Sequence, residues 1–142
     1  MSDVKNTVTP FQTSTPSDAD TPVIDVETRN FALALAAAAD ERKGADIRIL
    51  KVDGVSFLAD YFVVVTGFSS TQVRAIARSI HDTAAADFER QPLRTEGQGD
   101  GSWILQDYGE VIVHIFMPDE RDYYDLEAFW GHAEEIPFSS ES

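Results

Sequence analysis

The chain predicts an α/β fold, a mixed β-sheet flanked by helices, and three observations carry that expectation. Residues 61–66, Tyr-Phe-Val-Val-Val-Thr, are β-branched and aromatic without polar alternation, as in a strand covered on both faces. Residues 102–107 and 110–116 are strand-like runs separated by Tyr108 and Gly109, the signature of an antiparallel hairpin. Helical periodicities before, between and after these runs complete the order helix, strand, strand, helix, strand, strand, helix. No strand-helix-strand repeat with a dinucleotide fingerprint occurs, which excludes a Rossmann unit. With 142 residues and 43% apolar content the chain has material for one core.

Each element has its own local reason. Residues 1–22 are Ser, Thr, Pro and Asp with isolated apolar residues, and are expected to form a flexible tail because they cannot repay the entropy of ordering. The structured domain is expected over residues 23–131, with an acidic C-terminal tail at 132–142. Asp25 is a plausible N-cap for a first helix with Phe31, Ala34, Leu35 and Ala38 at helical spacing, ended by Arg42, Lys43 and Gly44. Residues 46–52 alternate as a strand with one half-exposed face, and Asp53 and Gly54 break it. Ser69 and Gln72 have capping-box spacing ahead of a second helix carrying Val73, Ile76, Ala77, Ile80 and Ala84 on one face. Pro92 is expected to end that helix, and residues 94–101, with three glycines, form a polar connection. After the hairpin, Pro118 starts an acidic short helix in which Tyr123, Leu126 and Trp130 are spaced to share a face.

Charge and composition narrow the function. The formal charge of −14, from 25 acidic and 11 basic residues, disfavours direct nucleic-acid binding, which requires phosphates to be neutralised; a basic protein partner suits it better. Without cysteine there is no disulfide, thiolate nucleophile or Cys-ligated zinc. No apolar run approaches the length of a bilayer span and no leader pattern is seen, so the expectation is a cytoplasmic protein without membrane contact.

The motifs offer little chemistry. Gly67, Phe68, Ser69 and Ser70 form a strand-to-helix turn that could cradle phosphate, although helix capping alone accounts for the residues. The turn resembles that of nucleotidyltransferases, whose chemistry needs paired carboxylates on a neighbouring strand to hold magnesium. Asp87 with Glu89, and Glu120 with Asp122, lie instead in helical contexts where i, i+2 spacing points side chains apart. No catalytic residue, metal or cofactor is therefore expected; a nucleotide-binding or nucleotidyltransferase-type enzyme using the 67–70 turn is the alternative. His81, His114 and His132 show no zinc-helix spacing, and His114 reads as a strand histidine beside a polar neighbour.

The hairpin is the more informative surface. Trp103 and Leu105 form an apolar centre and Asp107 and Glu110 a charged rim, with Tyr108 and Gly109 at the tip and Tyr123 and Tyr124 bordering it. That composition suits a protein interface, whereas the plainer account is a soluble turn beside a core tryptophan.

Residues 60–67 (Asp-Tyr-Phe-Val-Val-Val-Thr-Gly), Gln72-Val-Arg74 and the run Trp-x-x-x-Asp-Tyr-Gly-x-Val-x-Val-His-x-Phe from Trp103, followed by Arg121, Tyr124-Asp125-Leu126-Glu127 and Trp130, resemble the ribosomal silencing factor family, also called Iojap. The resemblance covers about residues 24–130. It implies a nucleotidyltransferase-like α/β sandwich without the catalytic carboxylates, and a non-enzymatic translational repressor. Such a protein would bind the large ribosomal subunit through ribosomal protein L-fourteen and keep the small subunit from docking under nutrient limitation. The family's binding surface maps onto Trp103, Leu105, Asp107, Tyr108, Gly109 and Glu110, with Tyr124 and Asp125. An exposed aromatic surface also suits weak homodimerisation.

Overall fold

The computed structural model describes residues 23–53, 59–129 and 131–140. The expected N-terminal tail and Trp130 lie outside these residues. Helix α1 (Val23–Glu41) leads into β1 (Ala45–Lys51) and β2 (Tyr61–Thr66), then α2 (Ser70–Phe88). Strands β3 (Arg94–Glu96), β4 (Trp103–Asp107) and β5 (Val111–Phe116) follow, then α3 (Pro118–Tyr124), α4 (Leu126–Phe129) and β6 (Glu134–Ile136). The strands form one open sheet in the order β3-β4-β5-β2-β1-β6, antiparallel except for the parallel β2–β5 pair. The expected mixed sheet flanked by helices is the fold observed.

Strand β2 is buried along its whole length at the sheet interior, and its period-2 geometry divides the core in two. Tyr61, Val63 and Val65 face α1 and α2 together with Ile49, Ile104, Val113 and Ile115. Phe62 and Val64 face the other way with Leu50, Ile112 and Phe116, where the partly buried Trp103, Leu105 and Leu126 pack against them. The many alanines of α1, among them Ala32, Ala36 and Ala39, are fully buried, because small side chains let the helix backbone approach its neighbours closely.

Local readings were overruled wherever a tertiary partner competed. Asp25 is not the N-cap of α1: it sits in the first turn, accepting from the Tyr61 hydroxyl at 3.0 Å and pairing with Lys51 at 3.5 Å. Helix α2 stops at Phe88, before Pro92, because Glu89 takes a left-handed conformation (φ 55) and Arg90 N–H closes onto the Ala84 carbonyl. The 94–101 connection contains β3, an edge strand in register with β4. Gly97 enables the turn that follows: at φ +88, a Cβ there would stand 1.9 Å from the Trp103 carbonyl oxygen. Residues 132–142, expected as a tail, include β6, which pairs with β1 and buries Ile136. Three residues with two glutamates carry too little pattern for a strand to be read from them.

The 67–70 turn is a cap. Ser69 Oγ accepts from Gln72 N–H at 3.1 Å, while Gln72 Oε1 accepts from Phe68 N–H at 2.7 Å. Gln72 Nε2 also donates to the Arg42 and Lys43 carbonyls, joining the α2 start to the α1 end. The N–H groups of Phe68 and Gln72 are thus taken by the cap, and that of Gly67 by the Phe116 carbonyl at 2.8 Å. Ser69→Ala is expected to cost about 1 kcal/mol in urea denaturation, the usual worth of a cap, without loss of secondary structure by circular dichroism.

Candidate functional site

Strand β4 sorts the hairpin residues by alternation. Ile104 and Gln106 are buried toward α2, where Gln106 Nε2 donates to the Ala77 carbonyl at 2.9 Å. Trp103, Leu105 and Asp107 project from the opposite face and are only half-buried. Register places Phe116, His114 and Ile112 of β5 directly across from them, so two strands present an apolar and aromatic surface.

Tyr124 joins that surface from α3. Its ring lies 4.5 Å from Trp103, which in turn lies 4.7 Å from Phe116, and Tyr123 meets Tyr124 edge-to-face at 5.0 Å. Tyr123 remains 82% exposed and Tyr124 47%, so the cluster runs from core to solvent. The chain reverses at Asp125, which adopts a left-handed conformation (φ 46) between α3 and α4. That break overturns the expectation that Tyr123 and Leu126 share a face: Leu126 packs into the sheet while Tyr123 faces water.

Arg121 holds this corner together. Its side chain is buried, with Nη1 donating to the Asp46 carbonyl at 2.7 Å and to Thr66 Oγ1 at 2.8 Å, while Nε donates to Glu127 at 3.0 Å. One guanidinium thereby ties α3 to α4, to the end of β2 and to the irregular start of β1.

The remaining expected site residues separate from the patch. Tyr108 is in the core at 1% exposure, edge-on to Phe31 at 5.3 Å, with its hydroxyl donating to Gln106 Oε1. Burial pushes its pKa up to about 12. The expectation that Tyr108 faces a partner is therefore corrected. The tip backbone turns there, but the side chain folds under the hairpin because α1 and α2 offer it an aromatic pocket. Glu110 also lies on the helical side, accepting from both terminal nitrogens of Arg90, which stands 4.8 Å over the Phe31 ring. Burial raises the Glu110 pKa, but hydrogen bonds from Arg90 outweigh it and the net direction is down. Gly109 (φ +94) serves the turn, its N–H held at 2.8 Å by Asp107 Oδ1. The other oxygen of Asp107 is 3.4 Å from Arg94. The patch therefore consists of Trp103, Leu105, Tyr123 and Tyr124, with Asp107 and Asp125 at its margin.

His114, a strand histidine by sequence, supports the patch from β5. Its Nδ1 accepts from Trp103 Nε1 at 3.2 Å; because indole can only donate, the neutral ring carries its proton on Nε2. Nε2 is buried without a partner, and burial holds the imidazole pKa down to about 4. The unfolded chain, with an ordinary histidine near 6.5, takes up a proton that the folded chain refuses. Stability is then complete above pH 6.5 and falls by roughly 3 kcal/mol as pH drops toward 4. Urea midpoints between pH 7.5 and 5, where carboxylates titrate little, should show this slope, and His114→Gln should flatten it.

No cluster of His, Asp or Glu able to hold a metal occurs among the described residues, and no described helix is long and apolar enough to cross a membrane. Asp87 lies in the last turn of α2 with Glu89 as its C-cap, and Glu120 and Asp122 lie in α3, so neither carboxylate pair sits on a strand.

Comparison with known proteins agrees with this geometry. Residues 25–142 match the family model described as "Ribosomal silencing factor during starvation", a match that extends through β6 and beyond the 24–130 span of the sequence resemblance. The chain is 46% identical over 98 residues to the ribosomal silencing factor of Bacillus subtilis, covering 69% of this chain and 82% of that protein. It is 38% identical over 119 residues to the chloroplastic protein Iojap of Zea mays, covering 82% of this chain and 51% of the maize protein. A crystal structure of a Chromobacterium violaceum protein superposes with a TM-score of 0.71 at 32% identity, covering 81% of this chain and 96% of that one. The Bacillus subtilis relative is named as a ribosomal silencing factor, in agreement with the description of the family model. With sequence match and superposition in agreement, the chain belongs to the ribosomal silencing factor, or Iojap, family.

Proposed function

We propose that this protein binds the large ribosomal subunit through ribosomal protein L-fourteen and blocks association with the small subunit by steric occupation, lowering translation under nutrient limitation. The observation that carries this reading is the continuous aromatic surface of Trp103, Tyr124 and Tyr123, extended by Leu105, on the sheet face away from α1 and α2. An apolar centre of this kind, ordered in advance by Phe116 and His114, is what a protein interface needs at its anchor positions. Asp107 and Asp125 at the margin, and a net charge of −14, favour encounter with a basic protein and oppose direct contact with RNA. No bond is made or broken: a bound factor withdraws large subunits from the joining equilibrium by mass action.

Co-sedimentation with purified subunits tests this. The protein should pellet with large and not with small subunits, and joined ribosomes should decrease when the small subunit is added afterwards. Pelleting with neither subunit, or with joined ribosomes undiminished, would refute the reading. Raising salt separates anchoring from charge alone, since exposed charge pairs are screened while an aromatic anchor is not.

A further inference from the structure

Half of the described cations of this acidic chain face carboxylates: Arg48, Lys51, Arg90, Arg94 and Arg121 each stand within ion-pair distance of an Asp or Glu. Arg74 and Arg78 are different. Arg74 directs Nε to the Gln98 carbonyl at 3.1 Å and Nη2 to the Gly99 carbonyl at 2.9 Å. Those bonds fix the guanidinium without neutralising it. Arg78, one turn later, is exposed and has no ion pair with a described residue. His81 follows at the next turn, and spacing of i, i+4, i+7 puts all three on one side of α2. They line a cavity of about 390 Å³ between α2 and the β3–β4 pair, with the buried Ile104 at its base. Asp82 is the carboxylate on its lining, 3.6 Å from the His81 ring.

We propose that this cavity binds a small organic phosphate. Two arginines and a histidine line the cavity, where a negative ligand would be held by charge-assisted hydrogen bonds, and arginine's planar fork matches phosphate oxygens. The volume exceeds what inorganic phosphate fills and falls within the range of small-molecule pockets, so room is left beside the phosphate for an organic moiety. Alternation of β4 places this cavity on the opposite sheet face from Trp103. The ligand and a protein partner can therefore be held at once, and the inference stands independently of the ribosomal reading. It is also separate from the 67–70 turn.

Calorimetric titration of the full chain with adenosine monophosphate, inorganic phosphate and adenosine tests the proposal. The monophosphate should bind, inorganic phosphate more weakly, and adenosine without measurable heat. Arg78→Gln, a change at an exposed side chain, should weaken the monophosphate by about tenfold or more; Asp82→Asn should tighten it and Ser69→Ala leave it unchanged. No heat with either phosphate at millimolar concentration, equal binding of adenosine, or unchanged affinity in Arg78→Gln would overturn the site. Inorganic phosphate binding as tightly as the monophosphate would overturn the organic moiety.

Discussion

Arg121→Met is expected to lower the unfolding free energy by about 3–5 kcal/mol, the cost of removing one partner from a buried ion pair. The exposure of the two side chains, 7% for Arg121 and 16% for Glu127, leaves little water to solvate the glutamate that remains. The substitution would also strand the Asp46 carbonyl and Thr66 Oγ1, both of which accept from the same guanidinium nitrogen. Arg121→Lys should recover only part of the loss, because an ammonium cannot reach three acceptors in the fixed directions of a guanidinium. Urea unfolding followed by far-UV circular dichroism measures both. An unchanged midpoint for Arg121→Met would mean that Arg48, 3.8 Å from Glu127, moves in to neutralise it.

The second large effect concerns binding. Trp103→Ala should weaken association with the large subunit by about 2 kcal/mol or more, roughly thirtyfold, if the indole is the anchor of the patch. Its ring touches Phe116 and Tyr124 and its N–H holds His114. Truncation therefore removes contact area and also frees the groups that order the surface. Trp103→Phe should fall in between, retaining stacking but losing the bond to His114. Co-sedimentation at graded protein concentrations, with near-UV circular dichroism confirming the fold, gives the comparison. Equal affinity for a folded Trp103→Ala protein would move the interface elsewhere on the molecule. Tyr108→Phe, by contrast, should leave binding intact, because that ring is in the core.

What the sequence determined by itself were features written in local, repetitive terms. The unalternating β2 run, the apolar stripe of α2, the hairpin around Gly109 and the Ser69–Gln72 cap all follow from side-chain periodicity or single-residue backbone preference. The resemblance over Trp103 and its neighbours likewise identified the family and the aromatic residues at issue. Features that depend on distant partners were decided only in the tertiary structure. Glu134, Glu135 and Ile136 become a strand because β1 offers them a free edge, and Arg48 then captures Glu135 at 2.6 Å. Tyr108 and Glu110 look like an exposed hairpin tip until Phe31 and Arg90 draw them to the helical side. Asp125 breaks the last helix through a left-handed backbone that its neighbours in sequence do not announce, and Arg121 gains its role from Asp46, Thr66 and Glu127, far along the chain or across that break. Periodicity says which face a residue takes within its own element; which faces are covered, and by what, is settled by long-range packing that burial energy selects and local sequence cannot encode.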